Sequence, residues 1–245
     1  MPPGFSGKSN NKNKRKERCN TALYTLADLH LAFAPGVDKP MDIFGSNWEG
    51  HIEKIRRNWC LNEDDTIVLG GDLSWAMTFQ QLRYDLEFVH SLPGRKILLK
   101  GNHDYWWTTM KKMRELTEAF PSISFLHNNS YCVDGIAVCG TRGWITEPGQ
   151  PEDEKVLARE CGRLRASLDS AKEGEKVVFL HYPPVFADTV CESIMNILRE
   201  YGIKRCYYGH LHGPSHKLAV NGERDGVVFC LTAGDFTDFN PVRVS

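Results

Sequence analysis

The sequence predicts a single α/β domain, and three observations carry that prediction. From Thr21 onward, short apolar runs alternate with amphipathic stretches, the pattern of strands followed by helices. The 245 residues, 41% hydrophobic and 25% charged, are ordinary for a globular chain long enough to bury a sizeable core. No Pro/Gly/Ser-rich linker interrupts residues 21–245. Several strands follow one another without a helix between them, which adds antiparallel or mixed pairing. The pattern alone therefore admits an open doubly wound sheet or a layered sandwich.

Taken in order, "ALYTLADLH" reads as a strand and its exit loop. "NWEGHIEKIRRNWC" places Trp48, Ile52, Ile55 and Trp59 on one helical face. "DTIVLGGD" is a second strand and "FQQLRYDLEFVHSLPG" a helix stopped by Pro93-Gly94. "KILLKGNHD" gives a third strand and "TTMKKMRELTEAF" a third helix. "ISFLHNNSYCVDGIAVCGTRGW" breaks into short strands at Asn128-Asn129 and Asp134-Gly135. A charged amphipathic helix follows in "EDEKVLARECGRLRASLDSAK". The strand "KVVFLHYPP", the helix "ESIMNILREYG" closed by Gly202, the strand "KRCYYGHLHG" and the strand "VVFCLTAGDF" complete the domain.

Charge is uneven. Residues 1–20 carry six Lys/Arg against Glu17, a local charge of +5, and the rest of the chain carries −6. The leader lacks apolar periodicity and is expected to be a disordered basic extension outside the fold, leaving residues 21–245 as the domain. A mildly acidic body disfavours nucleic acid as the main partner. No run approaches the roughly twenty apolar residues of a membrane span, and no apolar segment follows the basic residues as in a signal peptide. Eight scattered cysteines form no Cys-x-x-Cys pair, so reduced thiols and a cytoplasmic location are expected.

Five strand exits end in the same kind of chemistry. "YTLADLH" delivers Asp28 and His30, "IVLGGD" delivers Asp72, and "LLKGNHD" delivers Asn102, His103 and Asp104. "VVFLH" delivers His181, and "YYGHLH" delivers His210 and His212. The C-terminal edge of strands in an α/β sheet is where loops converge on a site. Carboxylate, amide and imidazole together suit Mn, Fe, Zn, Co or Ni. In Asp28-Leu29-His30 and His210-Leu211-His212, extended chain would turn positions i and i+2 to one side.

The ordered set Asp28-x-His30, Gly71-Asp72, Gly101-Asn102-His103-Asp104, His181 and Gly209-His210-x-His212 resembles the calcineurin-like metallophosphoesterase superfamily. The resemblance implies a two-sheet β-sandwich flanked by helices, with two divalent metal ions at the sheet edges. It implies one ion on Asp28, His30, Asp72 and His212, and a second on Asp72, Asn102, His181 and His210, with Asp72 bridging. His103 would face the substrate as general acid or charge stabiliser, oriented by Asp104. A pair of ions about 3.5–4 Å apart clamps phosphoryl oxygens and activates a water as hydroxide. The expected substrate is therefore a small phosphorylated molecule, a monoester or a diester.

Within that superfamily, protein serine/threonine phosphatases carry Gly-Asp-x-x-Asp-Arg at the second motif, where this chain has Trp75-Ala76, and they lack the Gly-His-x-His ending. The further segments "GNHDYWW", "GTRGW", "HYPP" and "RCYYGHLHG" resemble a group of bacterial predicted phosphohydrolases. Arg142 is a candidate phosphate clamp because its planar fork fits phosphate oxygens. Trp106 and Trp107 either line the leaving-group pocket or start a core helix face. Two other readings stand beside the hydrolase: a metal-dependent nuclease, and a catalytically silent metal-binding scaffold.

Overall fold

The computed structural model describes residues 21–145 and 151–245; the expected basic leader, residues 1–20, lies outside them. In β1 (Leu23–Leu26), β2 (Thr66–Leu69) and β3 (Arg95–Leu98), successive side chains serve two different cores. Leu26, Ile67, Leu69 and Leu98 pack against helices α1 (His51–Asn58), α2 (Phe79–Ser91) and α3 (Met110–Thr117) through Ile55, Leu82, Leu86, Val89 and Met113. Leu23, Val68 and Ile97 point the other way and meet Ile136, Val138, Val177 and Phe179.

Those partners lie on β6 (Ile136–Thr141) and β7 (Glu175–Leu180) of a second sheet. Its opposite face, with Cys139, Val178, Leu180 and Cys206, packs on α4 (Pro151–Ser170) and α5 (Glu192–Glu200). The result is four layers, helix, sheet, sheet, helix. Because both faces of each central strand are buried, these strands read as continuous apolar runs.

The first sheet runs β13 (Val242–Arg243), β1, β2, β3, β4 (Ile123–Phe125), parallel except for β13. The second runs β11 (Gly222–Arg224), β12 (Val227–Leu231), β10 (Arg205–Tyr208), β7, β6, β5 (Tyr131–Val133), with antiparallel strands only at its edges. A small hairpin of β8 (Val185–Phe186) and β9 (Thr189–Val190) stands apart. At Asp134-Gly135 both residues have positive φ (46° and 80°), the geometry of a tight hairpin joining β5 to β6.

At one end the packed sheets are also joined by backbone hydrogen bonds. Ala27 N–H donates to the Thr232 carbonyl (2.8 Å) and Gly234 N–H donates to the Ala27 carbonyl (2.9 Å), stitching the end of β1 to the end of β12.

Two local expectations change. The first helix spans only His51–Asn58, because Gly50 sits at φ 60° ahead of it and Trp48 belongs to a separate 3-10 turn, Ser46–Trp48. Asp28, His30 and His210 are not extended: all three have left-handed backbone, at φ 60°, 45° and 72°. Among the described residues no helix is long and apolar enough to cross a membrane, and seven cysteines are free thiols.

Candidate metal centre

All seven predicted ligand residues meet at the stitched end of the sandwich, on loops leaving β1, β2 and β3 of one sheet and β7 and β10 of the other. Four of them, Asp28, His30, Asp72 and His210, hold positive φ between 45° and 72°. Non-glycine residues rarely adopt that region, and each such residue costs on the order of 1–3 kcal/mol. Neighbouring glycines make room: a Cβ on Gly101 would collide with the Asp72 carboxylate, and one on Gly209 with that of Asp28.

The contacts form a continuous circuit from His30 to His212. Asp72 Oδ2 lies 3.7 Å from His30 Nε2 and 3.6 Å from His181 Nε2. His181 Nε2 is 2.7 Å from Asn102 Oδ1, which is 2.9 Å from His210 Nδ1. The backbone N–H of His210 donates to Asp28 Oδ2 (3.0 Å), and Asp28 Oδ1 is 3.4 Å from His212 Nε2. Ligand atoms of Asp28, His30 and His212 fall within 4.8 Å of one another, as do those of Asp28, Asp72 and His181. Asp28 thus belongs to both groups by distance, yet it approaches His181 through Nδ1 (3.8 Å), the nitrogen that faces the Gly70 carbonyl at 3.2 Å. Asp72 Oδ2 instead stands between the Nε2 atoms of His30 and His181, where a shared carboxylate would stand.

These residues fit divalent cations on their own chemistry. Burial holds the His181 imidazole down at about 3, so it is neutral and carries one proton. That proton cannot serve both the Gly70 carbonyl and Asn102 Oδ1, so one ring nitrogen faces an oxygen lone pair at contact distance. A cation beside Nε2 resolves the conflict. Asp28 Oδ1 and His212 Nε2 are likewise buried without a hydrogen-bond partner.

Burial also depresses His210 to about 3 and keeps His30 well below the usual imidazole range. Asp72 moves the other way, raised first by burial and then by the Asp104 and Asp28 carboxylates. Burial pulls His212 down, but the Asp28 and Asp235 carboxylates outweigh it and raise it to about 10. Bound cations would displace the protons that Asp72 and His212 hold.

His103 lies beside the circuit and not in it. Its backbone N–H donates to Asp72 Oδ1 (2.8 Å), and its half-buried ring sits 4.5 Å from Trp75 and 5.8 Å from His30, centroid to centroid. Burial lowers its pKa. The expected pairing with Asp104 does not form: Nδ1 of His103 lies 3.3 Å from the exposed Tyr105 hydroxyl. The buried Asp104 carboxylate instead accepts backbone N–H bonds from Gly101 (2.7 Å), Asp72 (3.0 Å), Leu73 (2.9 Å) and Ser74 (3.4 Å). It ties the loop after β2 to the loop after β3. Asp104→Asn would turn an amide NH₂ on those donors. We expect a stability loss of about 2–3 kcal/mol, read as a melting temperature lower by roughly 5–10 °C. An unchanged melting temperature would refute this scaffold role.

The other sequence candidates go elsewhere. Trp106 is buried in the helix-side core, and Trp107 packs on Phe125 and His127 at 5.3 and 6.1 Å. Other aromatic residues pack on the site: Trp48, 5.4 Å from the His212 ring, Trp75, stacked on His30 at 5.0 Å, and Tyr182, 4.3 Å from the His210 ring. The Arg142 backbone carbonyl accepts from His181 N–H (3.1 Å) beneath the site, but its guanidinium is tied to buried Glu160 (3.4 Å) and lies over Trp144.

Sequence reading missed Asp235. Its carboxylate takes His212 Nδ1 at 2.8 Å, His216 Nε2 at 3.1 Å and the Gly213 N–H at 2.9 Å, which aims His212 Nε2 at Asp28. It had a signal: "VVFCLTAGD" is a sixth apolar run ending in Gly-Asp. Carboxylate support of this kind orients a ligating imidazole and makes it more basic. Asp235→Asn should weaken metal binding by about 10–100-fold, measured by calorimetry on the metal-free protein; an unchanged affinity would rule the support out.

The sequence matches the family of calcineurin-like phosphoesterases over residues 23–214. No curated protein was found to match it. Among solved structures, the protein of unknown function AQ665 from Aquifex aeolicus is 19% identical, covering 91% of this chain and 96% of its own, with a TM-score of 0.48. Another solved structure, 12% identical, covers 84% of this chain and 88% of its own with a TM-score of 0.52, a likeness of fold. With most of its length matched and the layered sandwich in place, the chain belongs to the calcineurin-like phosphoesterase family.

Proposed function

We propose that this chain is a cytoplasmic phosphoesterase that uses two divalent cations to hydrolyse a small phosphomonoester or phosphodiester. Asp28, His30, Asp72 and His212 would hold one cation, and Asp72, Asn102, His181 and His210 the other. The observation that carries the reading is the convergence of seven ligand-type side chains, with Asp72 Oδ2 between His30 and His181. Bound there, the cations would supply Lewis acidity to phosphoryl oxygens and bring the pKa of water in the site towards neutrality.

The chain supplies the rest. Five of the seven groups are neutral imidazoles or an amide when liganded, and two are carboxylates, so the loaded site keeps net positive charge for an anionic substrate. His103 stands at its edge, held by its own backbone to Asp72 and wedged by Trp75. Burial makes that ring a weak base, and an arriving phosphoryl anion would favour its protonated form, as a donor to the leaving oxygen requires.

The test is to strip the protein with chelator, reload it separately with Mn, Fe, Zn, Co and Ni, and assay p-nitrophenyl phosphate and bis-p-nitrophenyl phosphate. Metal-dependent hydrolysis of either is expected. Silence across all five metals would favour a binding scaffold, and DNA degradation outrunning both reporters would favour a nuclease.

A further inference from the structure

Beside His103 the structure holds a cavity of about 110 Å³ that the reaction just proposed does not explain. Three imidazoles of the metal centre and its edge, His30, His103 and His212, form its floor. Its walls are Met41, Phe44, Trp48 and Trp75, none of which carries a charge. The walls are fixed in place: Trp75 donates its indole N–H to the Met41 sulfur (3.3 Å) and stacks on His30, while Trp48 is fully buried against His212 and Phe239. Phe44 is different. It is 56% exposed, an aromatic ring left in water at the mouth of an apolar slot. The loop that carries it is a single 3-10 turn, Met41–Phe44, inserted between the first motif and helix α1.

We infer that this slot receives the organic group on the leaving oxygen of the substrate, and that this group is apolar and about one ring in size; the inference rests on the phosphoesterase reading above. Three physical arguments converge on that class. The slot is continuous with the metal centre, so a group bonded to a phosphoryl oxygen there reaches it without a spacer. Its volume sets the size, since an apolar cavity of about 150 Å³ takes up benzene, and a half-open one somewhat smaller suits one ring and not a long chain. Its walls set the polarity, because a sugar hydroxyl turned towards Met41 and Phe44, away from the imidazoles, would lose its water partners at about 1–3 kcal/mol each. A cationic group is disfavoured as well, since the Lys39 ammonium already lies over the Trp75 ring, 5.2 Å from its centroid.

The test measures binding to the Mn²⁺-loaded protein by calorimetry, with inorganic phosphate, methylphosphonate, phenylphosphonate and octylphosphonate as probes. Phenylphosphonate should bind about tenfold more tightly than methylphosphonate, the return expected from burying much of one ring. In Phe44→Ala the ratio of the two constants should fall to about threefold or less. Phe44 is largely exposed, so this variant spares the core; Trp75→Ala is a second variant expected to shrink the same ratio. Equal binding of the methyl and phenyl probes, or a ratio untouched in Phe44→Ala, overturns the slot while leaving the phosphoesterase reading intact. Octylphosphonate binding far more tightly than phenylphosphonate overturns the one-ring limit. If neither phosphate nor any phosphonate binds the loaded protein, the phosphoesterase reading falls and the slot falls with it.

Discussion

Asp72→Ala is expected to empty the site of both metals and abolish hydrolysis. One oxygen of this carboxylate stands between His30 and His181, and its other oxygen accepts the His103 N–H, so a single deletion removes a ligand from each half and loosens the residue beside them. Loss of an outer support costs a metal site about 10–100-fold in affinity. Loss of a shared ligand should exceed that, with kcat/KM falling by more than about a thousandfold. Metal analysis of the purified variant, followed by titration with Mn²⁺, checks the result. A variant that retains one tightly bound metal would show that Asp72 serves one half only. A control is built into the site: Asp235→Asn should shift the affinity for metal without emptying the centre.

His103→Ala is the complementary case. Its ring takes no part in the circuit, and the backbone N–H that holds Asp72 survives the substitution. Metal content should therefore match the unmodified protein while turnover falls about 10²–10⁴-fold, the range for losing a positioned proton donor. The fall should be small with p-nitrophenyl esters, whose leaving group needs little protonation, and large with alkyl esters. A variant without metal would assign His103 to the ligand set. Equal losses on good and poor leaving groups would leave it as a stabiliser of charge on the phosphoryl group and not a proton donor.

Much of this site was legible in the sequence because strand exits carry a local signature. Asp28, Asp72, Asn102, His181 and His210 each follow an apolar run, and a parallel sheet sends all such exits to one edge. What local pattern could not supply was direction. After a strand ends, side chains follow individual φ values and no longer alternate, so the expected extended geometry of Asp28-Leu29-His30 gave way to two left-handed residues. The same loss of periodicity explains the tryptophans. Trp106 and Trp107 adjoin the motif histidine in sequence but turn into the core, whereas Trp75, two residues beyond Leu73, returns to the site through a parallel bridge between Leu31 and Ser74. Asp104 had the residue type of an orienting carboxylate, and only its four backbone donors reveal that it braces loops. Asp235 was missed for a simpler reason: its strand exit lies beyond the recognised motifs.

The seam between Ala27, Thr232 and Gly234 places the ligand circuit across the joint of two sheets, with Asp28, His30, Asp72 and Asn102 delivered by one and His181, His210 and His212 by the other. Anything gripped by both sets is a rivet through the joint, and its occupancy is written into the folding equilibrium by mass action. At a hundred times its dissociation constant, such a ligand adds about 2.7 kcal/mol to the folded state, or roughly 5–10 °C in a protein of this size. Melting curves recorded across a series of ions would therefore rank the cations by preference before any substrate has been found.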